Sequence, residues 1–262
     1  PAEAMLEDFE RIRVQNNTDI SEIYKLGANG QALSNSVTDV TWVPILQSVL
    51  LKPVFGQGMP LVYVDLSRDG DVLPEPFAIA TIGRRHNARF AVLGDNPFRM
   101  AALDDSRANS NLLDLMENTF DWLSDADLDE GFDVVIANLP QAQNYPDETT
   151  TRDWLTDTFG DAVSYNAASD CDGTALSTCI TDDTDLILLS QYIPGVDAHS
   201  ESTTEVEQAL VDGVPVLYLT GVQGVSEFGF EMLDLFNVGW VARNTSQHIA
   251  SGFSAVGSLT DW

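Results

Sequence analysis

The chain has 262 residues, of which 44% are hydrophobic and 9% aromatic, as is typical of a globular protein and not of a disordered one. Its 41 Asp and Glu outweigh 12 Lys and Arg, and the formal net charge of −29 repels nucleic acid and anionic membranes. No apolar run is long enough to span a bilayer, so we expect neither nucleic-acid binding nor membrane insertion. The chain begins at Pro1 and not at Met, and we expect it to be part of a longer protein.

Residues 1–58 are predicted to form an irregular arm that packs on the main domain. Turn-forming residues recur along this stretch, as in Asn16-Asn17-Thr18 and Gly27-Ala28-Asn29-Gly30. The main domain is predicted over 59–262.

Within the main domain, short apolar runs alternate with segments of helical periodicity. The predicted strands are 60–66, 88–93, 132–138, 162–166, 185–190, 214–219 and 238–241. The predicted helices are 109–123, 147–159, 202–212 and 226–236, the third opened by a capping box at Ser202 and Glu205. Strands that alternate with single helices indicate an α/β fold with a mostly parallel sheet and helices on both faces.

The stretch 88–122 contains the first candidate site. An apolar strand breaks at Gly94-Asp95-Asn96-Pro97 and restarts as a helix. Ligands of open α/β sheets bind at the carboxyl ends of strands, so the loop 94–99 is the first predicted site. The candidate ligand-binding residues are Asp95, Asn96, Arg99 and Arg107.

Five of the twelve basic residues fall in or near this stretch, namely Arg84, Arg85, Arg89, Arg99 and Arg107. In so acidic a chain they are expected to pair internally with carboxylates. The alternative is an anion-binding lip beside the Gly94 loop, for which guanidinium groups are well suited.

The two cysteines, Cys171 and Cys179, flank a short polar loop. With no His or further Cys nearby, they make a poor zinc site, and a disulfide is predicted. Such a bond contributes ~2–3 kcal/mol by restricting the unfolded chain, and it indicates a secreted, periplasmic or surface protein.

The acidic residues are spread through the chain, which favours a solvated surface suited to salty surroundings over a calcium-binding one. The acidic run 124–133 lacks the Gly and Glu positions of an EF-hand loop. His86, His199 and His248 are scattered, and there is no His-Glu-x-x-His motif. We therefore predict no metal site and no cofactor, with calcium as the one alternative.

Residues 214–221, read VPVLYLTG, have the form of a strand followed by a sharp turn. This resembles the class I glutamine amidotransferase-like fold, in which a similar strand leads to an elbow that bears a catalytic Cys. Here Thr220 stands near that place, without a nearby Cys or a His-x-Glu pair. An activated nucleophile needs an adjacent base, so the elbow is predicted to be catalytically empty. Thr220 and Ser226 remain the candidate nucleophiles of the alternative.

A second resemblance rests on LGANGQALSNSVTDVTWVP (26–44), ARFAVLGDNPFR (88–99) and the helix start at Asn109 and Asn111. Together they resemble the amino-terminal region of secreted enhancin-like, mucin-degrading zinc metallopeptidases of the accessory colonisation factor and immunomodulating metalloprotease type. The resemblance implies a glutamine amidotransferase-like module ahead of a separate metallopeptidase domain in the same polypeptide, outside the cytoplasm.

Three functions follow as hypotheses. The first is a non-catalytic accessory domain that positions a glycoprotein-directed metalloprotease through domain packing or binding of host or environmental glycans. The second is a free-standing hydrolase that uses Thr220 or Ser226. The third is a small-anion or sugar-binding module centred on the Gly94 loop, with Trp42 and Tyr192 as further aromatic candidates for a sugar site.

Overall fold

The fold is described from a computed structural model. It describes residues 49–53, 58–63, 78–94, 97–98, 110–124, 131–137, 147–166, 171, 176–190, 199–220 and 227–242.

The described residues form nine strands, five α-helices and a short 3-10 helix at Gly160–Ala162. The strands are β1 Val49–Pro53, β2 Gly58–Tyr63, β3 Ala78–Arg85, β4 Ala88–Leu93, β5 Phe132–Ala137, β6 Val163–Tyr165, β7 Leu186–Ser190, β8 Val216–Leu219 and β9 Val238–Ala242. The helices are α1 Ser110–Ser124, α2 Asp147–Phe159, α3 Leu176–Cys179, α4 His199–Asp212 and α5 Glu227–Leu235. None of these helices is long and apolar enough to cross a membrane.

All nine strands belong to one mixed sheet, in the order β6-β5-β7-β8-β4-β3-β1-β9, with β2 paired to β3. The pairings from β6 to β4 are parallel. Those among β4, β3, β2, β1 and β9 are antiparallel. The α/β class is confirmed, but the prediction of a mostly parallel sheet is wrong for this second half.

The hairpin between β3 and β4 is the physical reason for that difference. Arg85 pairs with Ala88, which leaves only His86 and Asn87 in the turn. His86 has a φ of 52°, the left-handed geometry of a tight hairpin. A two-residue turn reverses the chain, so β3 and β4 are antiparallel without a crossover helix.

The hairpin turn also caps the carboxyl end of α4. The Asn87 backbone N–H donates to the Leu210 carbonyl at 3.2 Å, and its side-chain amide donates to the Val211 carbonyl at 2.6 Å. These bonds satisfy carbonyls in the last turn of the helix, which have no partner within it.

Two hydrophobic layers cover the sheet. On one face, α1 and α2 pack through residues such as Leu115, Phe120 and Leu155. On the other face, α3, α4 and α5 pack through residues such as Leu176, Leu210 and Met232. Strand β7 shows why both are needed, since all five of its residues are buried and its side chains alternate between the layers.

The predicted boundaries agree closely where Pro and Gly flank an element. Helix α2 spans the predicted 147–159, between Pro146 and Gly160, and β4 spans the predicted 88–93. Helix α4 instead begins at His199, so the capping box at Ser202 does not mark its start. No Gly or Pro stands between these two positions to stop the helix from extending.

Part of the predicted arm is a strand of the sheet. Strand β1 pairs with β9 over five residues and with β3 at Leu51. The arm's residues 1–48 and 54–57 lie outside the described ranges, and the boundary near residue 58 stays a prediction.

Truncation of the central strand tests the two-layer core. Leu188 is fully buried in β7, so Leu188→Ala should lower the free energy of unfolding by about 2–5 kcal/mol through lost burial and a residual cavity. Val211→Ala, at a side chain that is 38% exposed, should change it by about 0.5 kcal/mol or less. Urea unfolding monitored by circular dichroism measures both, and equal costs would contradict the assignment of Leu188 to the core.

Candidate functional site

The carboxyl ends of the parallel strands lie along one edge of the sheet. Strands β4 and β5 lead to helices on one face, while β7 and β8 lead to helices on the other. Strand β6 leads to α3 on that second face as well, so neighbouring strands send their chains to opposite faces at three places, between β6 and β5, between β5 and β7, and between β8 and β4. Connections that diverge in this way open a crevice where ligands of α/β folds bind.

The crevice between β8 and β4 brings together the two stretches that were singled out separately from sequence. The Thr220 backbone N–H donates to the Leu93 carbonyl at 2.8 Å. The next residue after Leu93, Gly94, donates its N–H to the Ile79 carbonyl at 2.6 Å. The Gly94 turn and the Thr220 elbow are therefore neighbours on the same edge.

Beyond Gly94, the Phe98 side chain anchors the chain in the core. This side chain is buried and packs against Phe120 and Trp154, with ring centroids 6.2 and 4.9 Å away. Positions 95 and 96 therefore connect two anchored residues. Asp95, Asn96, Arg99, Arg107 and Ser226 themselves lie outside the described residues, as do Trp42 and Tyr192, and their roles stay predictions.

Thr220 is fully buried and follows the buried Tyr218 by two residues. The Tyr218 ring lies 5.9 Å from the Phe236 ring. Burial raises the pKa of Tyr218 far above its ordinary value, and the nearby Thr220 side chain only partly opposes this. The phenol is therefore neutral at physiological pH and cannot serve Thr220 as a base.

His86, whose ring lies in the described part, is far from the elbow. It sits in the hairpin turn before β4, on the opposite edge of the sheet from Gly94. A six-residue strand spans about 17 Å between its first and last residues, so this ring is out of reach of Thr220. Its Nε2 instead faces the carboxylate of Glu207 at 3.4 Å.

Three of the five clustered arginines also lie at that opposite edge. Arg84 pairs across the hairpin with Arg89, and Arg85 with Ala88. Arg89 donates to the main-chain carbonyl of Trp122, near the end of α1, and its guanidinium lies 5.5 Å from the Trp122 ring centroid. These three arginines are therefore not part of a lip beside Gly94, and the alternative of a five-arginine anion site is wrong for them.

The carboxyl ends of β6 and β5, on the side of β5 away from β7, contain a feature that sequence analysis missed. Asn166, just after β6, accepts a hydrogen bond from the Ile136 N–H at 2.7 Å and donates one to the Ile136 carbonyl at 3.0 Å. Its amide thus continues the ladder of β5 by one rung. The only sequence signal is an Asn directly after a strand, which ordinarily indicates a turn.

The predicted disulfide is confirmed. Cys171 and Cys179 are bonded, with their Cα atoms 6.0 Å apart. Cys171 is fully buried, and its Sγ accepts a hydrogen bond from the Asn166 side-chain amide at 2.9 Å. The disulfide therefore lies beside the carboxyl ends of β6 and β5.

A cavity of about 490 Å³ runs between α1 and α2. Its lining includes three carboxylates, Glu117, Asp153 and Asp157, together with the apolar side chains of Leu113 and Trp154. Among the residues that the structure describes, no three His, Cys, Asp or Glu side chains are grouped so as to hold a metal ion. The carboxylates of this cavity are thus an acidic surface and not a built metal centre.

No protein-family model matches the chain, and no curated protein matches it. Solved structures do. The IMPa metallopeptidase from Pseudomonas aeruginosa superposes with a TM-score of 0.66 at 14% identity, over 95% of this chain and 25% of that chain. The same protein in complex with an O-glycopeptide gives 0.65 at 14% identity, over 94% and 25%.

A third structure, the IMPa metallopeptidase in complex with T-antigen, gives a TM-score of 0.64 at 15% identity, over 92% of this chain and 24% of that chain. At 14–15% identity the match shows a similar fold and nothing about activity. The chain spans about a quarter of the length of these metallopeptidases, and with that quarter it shares its fold.

Proposed function

We propose that this chain is a non-catalytic accessory domain of a larger, glycoprotein-directed metallopeptidase. The observation that carries the proposal is the fold match, which covers 92–95% of this chain and only 24–25% of chains described as a metallopeptidase, in two cases with a bound glycan or glycopeptide. In this proposal a metallopeptidase domain elsewhere in the same polypeptide, downstream of this one, performs the hydrolysis. The glutamine amidotransferase-like relationship and the amino-terminal position belong to the same proposal.

The chemistry of the elbow supports a role without catalysis. Thr220 is buried, and the neighbouring Tyr218 phenol is protonated. The one described histidine ring, His86, lies at the other edge of the sheet. A nucleophile at Thr220 would therefore lack access to substrate, and no histidine ring that the structure describes could activate it.

The domain would act by positioning the enzyme, through packing against a partner domain or through binding of glycans on host or environmental glycoproteins. The Gly94 turn supports the glycan route, because it lies in a crevice between diverging connections and leads to Asp95 and Asn96. The disulfide supports a location outside the cytoplasm, on the cell surface or in the surrounding medium.

If a glycan binds beside Gly94, it should raise the melting temperature, and a substitution near Gly94 should remove that rise. T-antigen at about a hundredfold excess over its Kd should add about 2.7 kcal/mol to the free energy of unfolding, seen as a higher melting temperature. Arg99→Ala should abolish the shift, while Arg84→Ala, at the opposite edge, should keep it. A shift that neither variant alters would remove the Gly94 crevice as the glycan site.

The free-standing hydrolase is the second candidate, favoured by the location of Thr220 at the carboxyl end of β8. It requires turnover of an ester or amide that Thr220→Ser retains and Thr220→Val abolishes, or that Ser226→Ala abolishes. We expect no turnover of p-nitrophenyl acetate above the rate of buffer by the unmodified chain. Turnover with that pattern of losses would establish the hydrolase and overturn the accessory role.

Alkaline unfolding tests the buried phenol. A folded-state pKa above the unfolded value of about 10 stabilises the protein below that pH, and this stabilisation is lost as pH rises further, by up to about 1.4 kcal/mol per pH unit. Tyr218→Phe removes a fully buried hydroxyl, and the free energy of unfolding at neutral pH should change by about 1 kcal/mol or less. The same variant should lose stability less steeply than the unmodified chain above about pH 10.

Urea midpoints measured from pH 7 to 11 give both slopes. Tyr165→Phe is the matched control, since it removes a phenol that is 37% exposed. Identical alkaline slopes for the unmodified chain and Tyr218→Phe would contradict a buried, protonated Tyr218.

A further inference from the structure

We propose that the Cys171–Cys179 disulfide is a thiol-addressable latch that holds Asn166 on β5 and thereby keeps the carboxyl end of that strand closed. This latch acts between β6 and β5, and it does not depend on the proposed function.

The Asn166 side chain extends the hydrogen bonding between β6 and β5 beyond Tyr165. Among the described residues, strand β6 pairs with β5 from Val163 to Tyr165, opposite Phe132 to Val134. Two residues further along β5, both main-chain groups of Ile136 bond to the Asn166 side chain, at 2.7 and 3.0 Å. No described residue of β6 lies opposite Ile136, so within the described chain the amide is the group that bonds its N–H and carbonyl on this side.

The disulfide fixes where this amide lies. The Asn166 Nδ2 that donates to Ile136 also donates to the Cys171 Sγ at 2.9 Å. Cys171 is fully buried, and its bond to Cys179 ties it to the last residue of α3. The sulfur is therefore a fixed acceptor that orients the amide toward β5.

The two sulfurs differ in access. Cys179 is only partly buried, whereas Cys171 is fully buried. An external thiolate can therefore reach the Cys179 Sγ and not the Cys171 Sγ. The leaving sulfur is then that of Cys171, and a thiolate there is stabilised by the Asn166 N–H.

The reaction is a two-step exchange with an external dithiol. One thiolate of the dithiol attacks the Cys179 Sγ, a mixed disulfide forms, the Cys171–Cys179 bond breaks, and Cys171 departs as a thiolate that later takes up a proton. The second thiolate of the dithiol then attacks the dithiol's first sulfur, which is bonded to Cys179 in the mixed disulfide. Cys179 is released as a thiolate. The dithiol is oxidised by two electrons to a disulfide, and the protein is reduced by the same two.

Release of the latch is expected to be local. Once Cys171 is no longer tied to α3, the amide loses its fixed acceptor and the Ile136 rung opens. The Asn166 main-chain carbonyl remains bonded to the Arg152 guanidinium at 2.6 Å, and Arg152 lies 4.7 Å from the Tyr165 ring centroid. These contacts keep β6 in place, so the opening is confined to the end of β5.

Amide hydrogen exchange of the whole chain, followed by mass spectrometry with and without dithiothreitol, tests the latch. Reduction should speed exchange at Ile136 by roughly tenfold or more and leave Leu188 in β7 unchanged. The double variant Cys171→Ser, Cys179→Ser should show the fast exchange without reductant. Should that variant fail to fold, the reduced and unreduced forms of the natural chain still give the comparison.

The route of attack has its own test. Trapping the mixed disulfide with a monothiol, cysteamine, should modify Cys179 and leave Cys171 as the free thiol. Asn166→Asp retains an acceptor for the Ile136 N–H but places a carboxylate beside the leaving thiolate, and it should slow reduction by roughly tenfold. Unchanged Ile136 exchange after complete reduction, equal acceleration at Leu188, or modification at Cys171 would each overturn the latch.

Discussion

The parallel pairing of β4 with β8 is the constraint on which the rest of this structure depends. Among the described strands it is the one pairing that joins the parallel half of the sheet to the antiparallel half. Four residues on each strand are in register, from Phe90 opposite Val216 to Leu93 opposite Leu219, and all eight are buried. The connections after these strands leave toward opposite faces, so the pairing also creates the crevice at Gly94 and Thr220.

Elements with strong local signals were predictable from the sequence. The flanking Pro146 and Gly160 indicate the limits of α2, and the unbroken apolar run of β7 predicts a strand buried on both faces. Strand direction was less predictable, since Arg84 to Asn87 contain no Gly or Pro and the hairpin turn uses His86 in a left-handed conformation. A non-glycine residue in that geometry leaves little trace in sequence.

The same division holds for the candidate site. A break after an apolar strand was enough to place Gly94 and Thr220 at strand ends, but only the strand order makes them neighbours. The arginines show the opposite case, because closeness in sequence suggested one cluster and the hairpin puts Arg84, Arg85 and Arg89 at the far edge. The Asn166 rung could not be predicted, since it depends on a partner 30 residues away along the chain.

The proposed accessory role within a metallopeptidase is best tested by reading the coding sequence beyond Trp262. We expect an open reading frame that continues into a domain with a His-Glu-x-x-His motif. A stop codon directly after Trp262 would contradict it and would leave a free-standing binding protein or hydrolase as the better explanation.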